Sequence, residues 1–214
     1  MRLYPPEATR PRFSRIPRAL AQRWRSAFEF NGAFPATSVF VPQQAFLEIC
    51  AHAESDFHNE VGGILVGKWC LDKASRSPFI VVEGVLPARH TRHGTSFLTF
   101  TQESLLALHD ELEQSHPGKR MVGWFHTHPR MGVFLSEYDT WLHQHFFPES
   151  WQVALVIEPW TATGGFFIRD QDGQLDAQRY FGFCELLPAG RESVMRWQNL
   201  LPAGDGEKEL TSGG

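Results

Sequence analysis

The sequence predicts an α/β domain in which helices sandwich a mixed β-sheet. Short apolar segments rich in β-branched residues mix with amphipathic helical segments without strict alternation, which argues against a doubly wound parallel sheet. A chain of 214 residues, 42% hydrophobic and 13% aromatic, holds enough apolar material for one sizeable core. No internal repeat divides it.

The elements follow in chain order. Residues 1–35 carry five prolines and many arginines, and predict an irregular basic arm with one short amphipathic helix around Ala19 to Phe30. The folded domain is expected over residues 36–185. It opens with "VPQQAFLEICAHAESDF", where Phe46, Ile49, Cys50 and Ala53 recur at helical spacing, and runs into the apolar, glycine-punctuated strand "EVGGILVGKW". "PFIVVEGVLPA" is a second strand, and the polar stretch after it, "RHTRHGTSF", is a candidate functional loop. Thr101 caps a helix through "QESLLALHDELEQS" that stops at Pro117-Gly118. "KRMVGWFHTH" is then a strand, "SEYDTWLHQHFF" a helix, and "WQVALVIEP" and "GGFFIRD" two more strands, with a further one near Gln178 to Phe183. Residues 186–214 read as an extension, flexible from about 202, where "PAGDGEKELTSGG" is polar and glycine-rich.

Charge and cysteine usage exclude several function classes. The net charge of −4 conceals an asymmetry: residues 1–30 hold seven arginines against Glu7 and Glu29, which is +5 and leaves −9 for the rest. An acidic body disfavours nucleic-acid binding, which rests on many cationic phosphate contacts. The basic arm alone is suited to a nucleic acid, a membrane surface or an acidic partner protein. Cys50, Cys70 and Cys184 are widely spaced with no CxxC pair, so neither a disulfide framework nor a thiolate zinc site is expected, and a reducing cytoplasm fits. No apolar run of membrane-spanning length occurs, and the arginine-rich N-terminus lacks the apolar centre of a secretory signal.

The chemistry gathers in "GWFHTHPRMGVFLSEYD", Gly123 to Asp139. On a strand, His126 and His128 point to one face and can share an ion. Pro129 ends the strand, Gly132 permits a turn, and Ser136 starts a helix carrying Asp139 in its first turn. Two imidazoles and a carboxylate are the three protein ligands of a catalytic zinc with one open position. Ser136 and Asp139 equally form a variant capping box, a purely structural use of the same pair. Nearby, His143 and His145 sit about 200° apart on a helix and cannot share an ion, although His143, on the Asp139 face, is a supporting partner or alternative ligand. Hydrolytic zinc also needs a base for its water. Glu60, at the start of the strand "VGGILVG", is the best candidate, and taken alone is equally a solvated member of the acidic run Glu54, Asp56, Glu60.

Taken together, these residues resemble the JAMM (JAB1/MPN+) metalloprotease family, in its bacterial deubiquitinase-like branch. The family pattern is a glutamate opening a glycine-containing apolar strand, then HxHP, with serine eight and aspartate eleven residues after the second histidine. Glu60, His126, His128, Ser136 and Asp139 match every position, within a resemblance spanning roughly Phe40 to Asp170. It implies a cytidine-deaminase-like MPN/JAB fold and one Zn2+ held by His126, His128 and Asp139. It also implies that Glu60 acts as general acid and base and that Ser136 stabilises the oxyanion. The implied reaction is cleavage after the C-terminal glycine of a ubiquitin-like protein, with E1- and E2-like conjugation enzymes as partners. The loop Ala88 to Phe97, with Arg89, His90, Thr91, Arg92 and His93, is the expected groove wall. Arg130 and Met131 depart from the eukaryotic pattern and mark substrate specificity. Release of an amino acid from a sulfur-carrier protein, or a non-catalytic MPN scaffold, are the competing functions.

Overall fold

In a computed structural model, which describes residues 10–88 and 102–204, one mixed sheet is flanked on both faces by helices, as the sequence predicts. The elements are β1 (Arg12–Ser14), β2 (Ala21–Arg25), α1 (Ala27–Phe30), β3 (Ser38–Pro42), α2 (Gln43–Ala53), β4 (Gly62–Asp72) and β5 (Pro78–Pro87). After these come α3 (Gln102–Ser115), β6 (Arg120–Thr127), α4 (Glu137–Phe146), β7 (Val153–Glu158), β8 (Thr163–Phe167), β9 (Cys184–Leu186) and β10 (Leu201–Pro202). The strand order is β10-β2-β9-β3-β5-β4-β6-β7-β8, with β1 on the outer end of β4.

Alternation along the central strands builds two cores. On one face Leu65, Ile80, Val122, Phe125 and Leu155 pack beneath Phe46, Ile49, Cys50 and Ala53 of α2, the helical stripe anticipated from spacing. On the other, Ile64, Val66, Trp124, Ala154 and Val156 meet Leu108 and Leu112 of α3 and Leu142 of α4. The β4–β5 hairpin closes on Asp72, whose carboxylate accepts the N–H groups of Ser75 at 2.8 Å and Ala74 at 3.2 Å and reaches across to that of Ile16 at 2.9 Å.

The N-terminal region departs from expectation. Ala21–Arg25 is a strand, flanked by a single 3-10 turn at Arg18–Leu20 and the short α-helix Ala27–Phe30. Pairing decides this: β2 lies antiparallel to β9, Gln22 opposite Glu185, while Trp24 donates to the Glu185 carboxylate at 3.0 Å and Arg23 pairs with the buried Glu29 at 2.6 Å. A segment with weak helical spacing follows its partners into the sheet. β3 was likewise unforeseen, because its apolar run leads straight into the helical stripe of α2. Of the strand expected at Gln178 to Phe183, only a bridge between Phe181 and Phe166 forms, and β9 follows it. Beyond residue 185 the chain is not merely an appendage, since Trp197 and Leu200 are buried in the α2-side core and β10 pairs with β2. Of the tail expected to be flexible from about 202, Pro202 and Ala203 are tied to β2, and residues 205–214 lie outside the described residues.

Candidate metal centre

β6 carries the site, and its course is set by close backbone approach. A β-carbon on Gly123 would stand 2.1 Å from the Val153 carbonyl oxygen, so only glycine lets β6 and β7 run side by side here. From that point Trp124, His126 and His128 share the α4 face by alternation. His128 continues the ladder past the strand end, donating its N–H to Ile157 at 2.8 Å. Pro129 then breaks it, and Gly132, at φ +91°, supplies the turn that brings the chain back as α4.

Ser136 caps that helix. Its Oγ accepts the Asp139 N–H at 3.1 Å, and its own N–H and hydroxyl both donate to Asp139 Oδ2 at 2.7 Å. Such a capping box contributes about 1 kcal/mol to the helix, and here it also orients a carboxylate. With Oδ2 taken by Ser136, Oδ1 faces His126 Nε2 at 3.4 Å; His128 Nε2 lies 3.5 Å from Oδ2, and the two Nε2 atoms are 2.9 Å apart. All three side chains are buried. Ligands about 2.0–2.1 Å from one tetrahedral ion would be separated by about 3.3 Å, close to these spacings. Two imidazole nitrogens and a carboxylate, buried and turned inward on one point, form a donor set that fits zinc.

The electrostatics agree. Burial presses the His126 imidazole below its usual range despite the pull of Asp139. Burial alone would raise the Asp139 carboxyl, but His126, His128 and Ser136 together hold it well below the usual carboxylate range, so it is ionised.

His143, four residues after Asp139, does not join the cluster. It is fully buried, and its Nδ1 accepts the Trp124 indole N–H at 3.0 Å. Burial, with Arg169 nearby, pushes its pKa down to about 3. His145 turns outward and bonds the Trp141 carbonyl at 2.7 Å, so the two histidines part as helical geometry requires.

Glu60 lies at the foot of β4. Gly62 pairs with His126 in the antiparallel register, and Thr127 donates its N–H to the Val61 carbonyl at 2.9 Å. Glu60 directly precedes Val61 and stands two residues before Gly62, the residue paired with His126. Thr127, which the sequence reading passed over as a spacer, is fully buried and its hydroxyl accepts the Val61 N–H at 2.9 Å. Its small hydroxylated side chain between two histidines was the available signal.

Of the expected substrate residues, Arg89, His90, Thr91, Arg92 and His93 lie outside the described residues. Ala88, the residue before them, donates its N–H to the carbonyl of Gly62, the strand partner of His126, at 2.9 Å. Arg130 sits at φ +62° with its N–H on the buried Glu158 carboxylate at 3.0 Å, and its guanidinium lies 4.1 Å from the Trp160 ring. Glu158 also accepts the N–H groups of Trp160 and Thr161, each at 2.9 Å, and Trp160 donates to the Phe57 carbonyl at 2.8 Å. Arg130, Trp160 and Phe57 thus form a braced ledge beside the cluster, and Met131 is exposed next to it. Glu158 and Trp160 carried no motif that sequence reading could use.

Residues 35–148 match the family model described as JAB1/Mov34/MPN/PAD-1 ubiquitin protease. The chain is 27% identical over 136 residues to the 26S proteasome non-ATPase regulatory subunit 14 of Drosophila melanogaster, covering 63% of this chain and 42% of that protein. It is 25% identical over 134 residues to the ubiquitin carboxyl-terminal hydrolase RPN11 of Saccharomyces cerevisiae, covering 62% and 42%. A shorter match, 32% over 83 residues, is to the NAD(+) hydrolase TcpA of a Theionarchaea archaeon, covering 38% and 25%. The chain therefore spans less than half the length of these relatives. No described helix is long and apolar enough to cross a membrane.

Proposed function

This chain belongs to the JAB1/Mov34/MPN/PAD-1 family, and on that footing we propose that it is a zinc-dependent isopeptidase that cleaves after the C-terminal glycine of a ubiquitin-like protein. The observation that carries the proposal is the convergence of His126, His128 and Asp139 in one buried cluster. The Ser136 cap accounts for Oδ2 of Asp139, whereas Oδ1 and the two Nε2 atoms face one another, an arrangement that favours the enzyme over a scaffold.

His126, His128 and Asp139 would hold the ion, which when bound supplies a Lewis acid and an acidified water. Glu60 takes a proton from the attacking water and returns it to the leaving amine, a role supported by its place two residues before Gly62, the strand partner of His126. The Ser136 hydroxyl, engaged with Asp139 at rest, turns to the developing oxyanion while its backbone N–H keeps Asp139 in place. An extended Gly-Gly tail fits a narrow groove because it has no side chains to exclude. The loop rooted at Ala88 forms one wall of that groove, with Arg89, His90, Thr91, Arg92 and His93 as contacts. Arg130 and Met131 form the opposite ledge. Conjugation enzymes of E1 and E2 type are the expected partners, and the reducing cytoplasm the expected setting.

The test pairs metal analysis with cleavage of a ubiquitin-like protein fused through its Gly-Gly terminus to a reporter. Near-stoichiometric zinc and zinc-dependent cleavage are expected. Purified protein that takes up no zinc with His126 and Asp139 intact overturns the reading, and zinc-loaded protein that cleaves no such fusion overturns the substrate class.

A further inference from the structure

His126 has no acceptor for its Nδ1 among the described residues, so none of them holds the ring by a hydrogen bond at that nitrogen. Packing does. The Trp124 indole lies flat against the imidazole, with ring centres 4.6 Å apart and planes 8° from parallel. The indole is in turn fixed from α4, because its N–H donates to His143 Nδ1 at 3.0 Å, and Phe147 stacks on both Trp124 and His143.

Two links therefore join β6 to α4. One is the ligand cluster, His126 with Asp139. The other is Trp124 with His143, two residues earlier on the strand and four later on the helix. Two strand residues rise about 6.6 Å and four helical residues about 6 Å, so the links run side by side like two rungs. They differ in kind: the cluster gathers three groups that can ligate a cation, whereas the indole–imidazole hydrogen bond is complete without one. We propose that Trp124 and His143 are positioning residues that set the spacing of β6 and α4 and the plane of the His126 ring before metal arrives, and thereby raise zinc affinity. Residues that orient a ligand in this way commonly change affinity by about 10- to 100-fold when replaced.

This rests on the zinc reading above, and the measurement separates the two. Zinc affinity is determined by chelator competition on the full chain, alongside the melting temperature of each metal-free variant. His143→Leu removes the acceptor at similar volume and should weaken zinc binding about 10-fold. His143→Asn, which keeps an acceptor near the Nδ1 position, should recover most of that loss. Trp124→Phe keeps an aromatic ring but loses the N–H, and should weaken binding without adding to the His143→Leu effect. Wild-type affinity in folded His143→Leu or Trp124→Phe overturns the proposal, as does equal loss in the Leu and Asn variants, which would mark a simple packing effect. If the Leu variant does not fold, Trp124→Phe against wild type decides. Wild-type protein that binds no zinc defeats the zinc reading itself.

Discussion

Val61 and Thr127 are joined twice: the Val61 N–H donates to the Thr127 hydroxyl at 2.9 Å, and the Thr127 N–H donates to the Val61 carbonyl at 2.9 Å. One residue of this pair follows Glu60 and the other separates the two histidines, so the clasp ties the proposed base to the proposed ligands. Thr127→Val keeps the shape and leaves the Val61 N–H without its acceptor, at a cost of about 1–3 kcal/mol where buried. It should lower kcat about 10- to 100-fold by displacing Glu60 with zinc content unchanged. Unchanged kcat in zinc-loaded Thr127→Val would show that the clasp serves stability alone.

Glu60→Gln removes the proton acceptor and leaves the three ligands untouched. Zinc content should match wild type while turnover drops by about 10²–10⁴-fold. Loss of zinc together with turnover would instead make Glu60 part of the metal's support.

Asp139→Asn removes the charge that the ion would balance, while an amide can still occupy the capping position. Zinc affinity should collapse with the helix retained by circular dichroism. Chelation of the wild-type protein should lower its melting temperature, since a ligand bound only to the folded state stabilises it by mass action. A wild-type melting temperature indifferent to chelator, with metal demonstrably removed, would refute that coupling.

Arg130 stands at φ +62°, where a side chain costs about 1–2 kcal/mol, and stacks on Trp160, a contact worth about 0.5–1 kcal/mol when exposed. Arg130→Gly loses the stacking and relieves the strain, so stability should change little. If the ledge contacts substrate, KM should rise several-fold with kcat nearly constant. An unchanged KM for a full-length ubiquitin-like substrate removes Arg130 from the specificity determinants.

Asp72 accepts backbone N–H bonds from Ser75 and Ile16, which lower its pKa from the ordinary 3.8 to about 2. A carboxyl depressed on folding adds stability that is fully present above its unfolded pKa and is lost as pH falls through the folded one. In metal-free protein, the melting-temperature gap between wild type and Asp72→Asn should be constant above about pH 5 and shrink towards pH 2. A gap that widens on acidification would contradict the assignment.

How far the sequence could be read depended on whether a feature was local. The α2 stripe, the β4–β5 pair, the β6 strand with its proline stop and the capped start of α4 all rest on periods and caps within a few residues, and each was legible. So was the pairing of His126 with His128, because alternation alone aims two side chains one residue apart at one point. Asp139 was legible only as a cap that could also ligate, and tertiary packing of α4 against β6 brings its carboxylate to 3.4 Å from His126.

The N-terminal strands were not legible. Ala21–Arg25 is as acceptable in a helix as in a strand until β9 and Glu185, more than 150 residues away in sequence, offer it a ladder and a buried carboxylate. The same holds for His143. Helical spacing put it on the Asp139 face as a supporting partner or an alternative ligand, ranked below His126 and His128. Only the fold, by setting the Trp124 indole N–H 3.0 Å from its Nδ1, occupied that nitrogen and turned a candidate ligand into a brace. The sequence by itself determined the chemical inventory and the local geometry that presents it, because periodicity and capping act over short range. Which side chains meet across elements was decided by long-range pairing and packing, whose partners no local window contains.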